Sequence, residues 1–178
     1  MADVVVQSTQ PTLAAIKLAW WRERLEELDE GKVPAEPRLQ AAADELLQRG
    51  ISGGELAKLE DGWATLVEEA PNQARIAKRG AILFELGATL LGAELSDEVD
   101  AAGRLFALVD ASRRGLLEAI PENAEATAVA IPRSLRPLTA LGALAARDIA
   151  QRGPWEPEAT PARAWILLRH RLTGGFPR

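Results

Sequence analysis

Alanine and leucine together occupy 59 of the 178 positions of this chain. Both residues favour helices, whereas the aromatic and β-branched residues that favour strands are sparse, with three Phe and no Tyr. Hydrophobic residues make up 47% of the chain, which is enough to bury a core. We therefore expect an all-α protein that folds as a single-domain bundle of about six to eight helices.

Several kinds of chemistry are excluded by composition. The chain has no Cys, which rules out disulfides, thiolate metal sites and cysteine nucleophiles, and its single His rules out a multi-histidine metal site. It contains neither a G-x-S-x-G sequence nor a phosphate-binding glycine loop. His170 lies between two arginines, so we expect a surface histidine rather than a catalytic base. We expect no cofactor unless Mg²⁺ serves an enzymatic activity.

Hydropathy predicts neither a membrane span nor a signal peptide. No stretch of about 18 apolar residues lacks charge, and the first ten residues lack the basic start and the apolar run of a leader. We expect a cytoplasmic protein, with a peripheral position at a membrane left open. Residues 1–11 are expected to be flexible and residues 12–178 to form the helical domain.

Glycine and proline divide the chain into segments with helical spacing of apolar residues. The segments predicted as helices are 12–30, 37–49, 52–70, 72–93, 96–120, 122–131, 137–152 and 160–173. The segment 72–93 carries an apolar run interrupted by glycines, which indicates either close helix contact or the wall of a cavity.

Charge is unevenly distributed along the chain. Residues 1–100 carry a balance of −9 and residues 101–178 a balance of +4, with arginine as the only basic residue of the second half. This asymmetry indicates either a face for an anionic partner or pairing between the two halves, and we favour pairing. The sequence pI near 5 argues against nucleic-acid binding, so we expect no nucleic-acid partner.

Acidic residues are the remaining candidates for catalysis. Asp97 and Asp100 begin a predicted helix, where two carboxylates can hold Mg²⁺ and a diphosphate or simply favour the helix dipole. We favour the second interpretation. A strip of four glutamates between positions 23 and 30 is expected to face solvent.

The string Lys17-Leu18-Ala19-Trp20-Trp21-Arg22, followed by Gly31, Pro34 and Pro37, resembles the squalene/phytoene synthase family. Weaker likenesses to helices of that family are found in residues 59–63, 82–92 and 103–108. Residues 145–148 and 165–172 resemble the closing helices of bacterial members, especially short proteins related to the mitochondrial complex I assembly factor of that family. The resemblance covers most of the chain from Pro11 onward. It implies a truncated isoprenoid synthase fold.

The aspartate motifs of that family are not matched here. Family enzymes bind Mg²⁺ and prenyl diphosphate through two D-x-x-x-D motifs. Asp3 is the sole acid before the Trp-Trp-Arg string, and Asp110 stands alone at the place of the second motif. Ionising a diphosphate needs charge stabilisation by several groups, so these departures argue against catalysis.

Two functions follow from these observations. The first is a non-catalytic relative that acts as a binding or assembly protein for an isoprenoid or lipid-like ligand, with a protein partner or as a homodimer. The residues expected to contact such a ligand are Phe84, Gly87, Gly103, Phe106, Arg113 and Arg114. The alternative is an active Mg²⁺-dependent prenyltransferase, acting on prenyl diphosphates in a head-to-head condensation. Its catalytic candidates are Asp97, Asp100 and Asp110. If the protein is not this enzyme, we expect no metal site.

Overall fold

A computed structural model describes residues 1–120, 131–151 and 154–177. Throughout these residues the regular structure is helical and contains no strand, which confirms the all-α class. The α-helices are α1 (Ala2–Gln7), α2 (Pro11–Leu28), α3 (Pro37–Ala41), α4 (Gly53–Ala57), α5 (Asp61–Ala64), α6 (Gln73–Leu90), α7 (Asp97–Arg113), α8 (Arg136–Ala150) and α9 (Pro161–Thr173). The helix expected at 122–131 lies outside the described residues except for its last position. The contacts divide the chain into two compact units, 1–75 and 76–178.

In the first unit α2 packs against α4. Leu25 and Leu28 of α2 form a buried cluster with Leu39 and Ala57. The helices approach so closely at Gly53 that a Cβ atom there would lie 1.9 Å from a backbone oxygen of α2. Helix α1 falls within the segment expected to be flexible, and its Val5 side chain is buried.

The start of α4 follows its sequence signature. Ser52 and Glu55 form a capping box, as their spacing predicts: the Ser52 hydroxyl accepts from the Glu55 amide at 3.1 Å, and the Glu55 carboxylate accepts from the Ser52 amide at 2.8 Å. The prediction of one helix over 52–70 is wrong in length. Hydrogen bonds from the amides of Leu59 and Glu60 to residues three positions earlier tighten the chain after α4, and α5 begins at Asp61.

In the second unit α6 and α7 cross at two glycines. A Cβ atom on Gly80 would lie 2.0 Å from the Gly103 carbonyl oxygen, so only glycine permits this approach. Phe84, the largest fully buried side chain among the described residues, packs at the crossing and joins a core with residues of α7 and α8. Helix α7 ends at Arg113 instead of continuing to position 120 as predicted, and Gly115 follows with a positive φ of 71°.

His170 of α9 is buried, so the prediction of a surface histidine is wrong. Only 1% of it is exposed, and its ring lies edge-on to Phe176. Its Nε2 lies 2.9 Å from the Thr139 hydroxyl and its Nδ1 lies 3.0 Å from the Gly175 carbonyl. The sequence context of two arginines was misleading because those arginines lie on the outer side of the helix, while His170 faces α8.

Candidate functional site

A cavity of about 700 Å³ lies between α7, α8, α9 and the residues that precede α9. This volume falls in the range of small-molecule sites. Its apolar lining consists of Phe106, Val109, Leu141, Leu144, Ala145, Ala159, Pro161, Ala164 and Leu167. Small residues on α8 and α9, Ala145 and Ala164, leave room where larger side chains would close the space.

Charged side chains form one end of the cavity. Asp148 is almost fully buried, with 2% of its side chain exposed, and it accepts hydrogen bonds from Arg113 at 3.1 Å and from Arg163. The two guanidinium groups come from α7 and α9, so the carboxylate of α8 joins all three helices. A carboxylate this deeply buried needs such partners, because an unpaired charge in the interior is strongly destabilising.

The pairing extends beyond the cavity wall. Arg147 forms an ion pair with Glu156 and lies 3.8 Å from Asp148. Arg113 also donates to the Glu156 carbonyl at 2.8 Å, and its guanidinium stacks 5.8 Å from the Trp155 ring. The hydrogen bond from Thr160, and then the one from Arg147, lowers the pKa of Glu156, so this acid is ionised at neutral pH.

The arginines and carboxylates at this end are close to balanced, because the formal charge of Glu158, which also lines the cavity, offsets the third arginine of the network. Three arginines, at positions 113, 147 and 163, surround two carboxylates, Asp148 and Glu156. The buried Nε of Arg163 has no hydrogen-bond acceptor among the described residues.

Two further acids, Asp110 and Glu158, also line the cavity. The Asp110 carboxylate accepts from Arg114 at 2.8 Å and lies 3.9 Å from Arg79. Burial lowers the pKa of Arg79 to about 10, which still leaves it charged at neutral pH. The charge of Asp110 is thus compensated within the protein.

The three aspartates considered for catalysis do not come together. At 1.5 Å per residue, Asp97 and Asp100 lie about 20 Å and about 15 Å along α7 from Asp110. Asp97 is exposed, and Asp100 pairs with Arg104 on the helix surface. Within the described ranges no three acidic or histidine side chains converge as a metal site would require.

The residues expected to bind a ligand are divided between the cavity and the core. Phe106 and Arg113 line the cavity. Phe84 and Gly103 are packed at the crossing of α6 and α7, and Gly87 packs against Leu138. These three positions are filled by protein atoms and do not line the cavity. Arg114 is exposed and is paired with Asp110.

Asp148 and Arg163 were not singled out from the sequence as site residues. One signal was available for Asp148, because it is the only acid in the largely apolar helix α8. An isolated carboxylate on such a helix indicates a buried charge with a basic partner. Nothing comparable distinguishes Arg163 from the other arginines of the second half of the chain.

Comparison with known proteins finds no family model, no curated protein and no solved structure that matches this chain.

Proposed function

We propose that this protein is a binding protein for a small amphiphilic ligand, with an apolar chain in the cavity between α7, α8 and α9 and an anionic group at its charged end. The observation that carries the proposal is an apolar lining that ends at two arginines, Arg113 and Arg163, held in place by the buried Asp148. Binding of an isoprenoid or other lipid-like anion would bring its charged group to these arginines and bury its chain against the apolar walls.

A non-catalytic role is part of this proposal. Ionising a prenyl diphosphate needs several carboxylates around Mg²⁺, and the aspartates of α7 are spread along the helix instead. Membership of the squalene/phytoene synthase family, on the resemblance of the Trp20-Trp21-Arg22 string, is proposed on sequence alone. A protein partner or a homodimer, a cytoplasmic location and a peripheral position at a membrane likewise stay predictions.

Calorimetric titration tests the proposal. A non-hydrolysable farnesyl diphosphate analogue is added with and without Mg²⁺, beside farnesol, which lacks the charge, and inorganic pyrophosphate, which lacks the chain. We expect the analogue to bind without Mg²⁺ and more tightly than either fragment. Binding that needs Mg²⁺, together with release of pyrophosphate from farnesyl diphosphate, would favour the prenyltransferase instead.

Two variants of α9 locate the binding. Ala164 lines the cavity and Ala162 does not, although both lie in the same helix and are exposed. Ala164→Trp is expected to abolish binding by filling the space, whereas Ala162→Trp is expected to leave it unchanged. Equal binding by both variants would exclude this cavity as the site.

A further inference from the structure

The outer face of α9 carries a stripe of large apolar side chains in contact with solvent. Trp165, Leu168 and Leu172 are 62%, 47% and 66% exposed. At 100° per residue the three fall within an arc of about 60° of the helix circumference. We call them the α9 stripe.

The opposite face of α9 fixes this orientation. Arg163 and His170 are buried there, held by Asp148 and Thr139 of α8. The end of the helix is held as well, because Arg136 donates hydrogen bonds to the carbonyls of Arg171 at 2.9 Å and Leu172 at 2.8 Å. The α9 stripe is thus a fixed surface feature of a packed helix.

Arginines border the α9 stripe on both sides. On the same helical projection Arg169 lies about 40° beyond Trp165, and Arg171 lies about 60° beyond Leu168 on the other side. Both are exposed, and helix α9 contains no acidic residue. A groove of about 660 Å³ adjoins the stripe and is lined by Arg133, Arg136, Pro137, Ala140, Leu167, Arg171 and Leu172.

We propose that the α9 stripe docks on an anionic phospholipid surface. Tryptophan and leucine bordered by arginines, without acids, match the chemistry of helices that lie in the membrane interface. The apolar side chains would enter the boundary of the acyl chains, while Arg169, Arg171 and Arg133 would meet the phosphates. No helix within the described residues is long and apolar enough to cross a membrane, so docking here is a surface interaction.

Helix α2 provides the contrast within the same chain. It also exposes an apolar row, Leu13, Ile16 and Trp20. Its later turns carry Glu23, Glu26 and Glu27, which anionic lipids repel. The proposal therefore concerns α9 and predicts no docking through α2. It is independent of the ligand proposed for the cavity, because its decisive residues do not line that cavity.

Vesicle sedimentation measures the docking. The full chain is mixed with vesicles of phosphatidylcholine alone or with 30% phosphatidylserine added, at low and high salt. Binding is expected to the anionic vesicles and to weaken with salt. Trp165→Ala is expected to reduce the partition coefficient about tenfold or more, since a buried large apolar side chain is worth that factor. Trp20→Ala, at an exposed tryptophan of α2, serves as the control and should change little.

A second pair of variants separates position from net charge. The double variant Arg169→Gln/Arg171→Gln is expected to weaken partitioning about 30-fold, because each arginine near an anionic surface contributes a factor of about five. Lys58→Gln/Lys78→Gln removes the same charge from exposed positions elsewhere and should have little effect. Circular dichroism confirms that the variants fold. Absence of binding to anionic vesicles, equal binding to both kinds of vesicle, or equal loss in both double variants would overturn the proposal.

Discussion

Replacing Asp148 by Ala tests the charged end of the cavity most directly. The Asp148 carboxylate accepts hydrogen bonds from Arg113 and Arg163, and only 2% of its side chain is exposed. Each hydrogen bond to a charged group contributes about 1.5–3 kcal/mol, and removing one partner of a buried ion pair costs about 3–5 kcal/mol. We therefore expect Asp148→Ala to lower the free energy of unfolding by about 3–5 kcal/mol.

The measurement is urea unfolding followed by far-ultraviolet circular dichroism at neutral pH. Asp100→Ala is the matched control, because Asp100 also pairs with an arginine but lies at the surface, where such a pair is worth about 1 kcal/mol or less. A double replacement, Asp148→Leu/Arg163→Met, should cost less than the sum of the single changes, since it leaves fewer unpaired charges. A loss below about 1 kcal/mol for Asp148→Ala would refute the inference that this network is buried and structurally required.

Two further predictions concern packing and pH. Gly103→Ala is expected to destabilise by about 1–3 kcal/mol, because its Cβ would lie 2.5 Å from the Gly80 carbonyl oxygen; Gly87→Ala meets only the flexible end of Leu138 and should be near neutral. Thermal unfolding compares the two, and equal melting temperatures would contradict the close crossing. Burial lowers the pKa of His170 in the folded chain. The contribution of the neutral imidazole to the free energy of unfolding should therefore be fully present above about pH 6.5 and should fall below that pH, because the unfolded chain then binds a proton more readily than the folded chain does. Urea unfolding at several pH values should show this slope reduced in His170→Gln, and an unchanged slope would contradict it.

Part of the candidate site was accessible from sequence. Phe106 and Arg113 were expected to contact a ligand, and both line the cavity. Both lie on α7, seven positions apart, so their position on one face of the helix follows from local helical periodicity. Leu167 and Arg163 could not be placed beside them, because α9 is more than 40 residues away and the packing of α9 on α8 is not encoded in local spacing.

The glycines of α6 and α7 likewise show that local sequence does not identify the residues that pack against a position. Their sequence pattern left close contact and a cavity wall equally open at Gly87 and Gly103. The choice depends on what faces each glycine. Gly80 faces Gly103, and Leu138 faces Gly87, so neither position retains space for a ligand.

The sequence by itself determined the helical class, most helix boundaries and the capping box at Ser52, because these depend on residues within a few positions of one another. Tertiary structure alone decided which charges are buried and which apolar side chains stay in solvent. His170 and Trp165 illustrate this: they lie five positions apart on one helix, and the packing of α8 against that helix buries the histidine and leaves the tryptophan exposed. Burial depends on what the rest of the chain places against each face, and helical periodicity shows that a helix has two faces without showing which of them is covered.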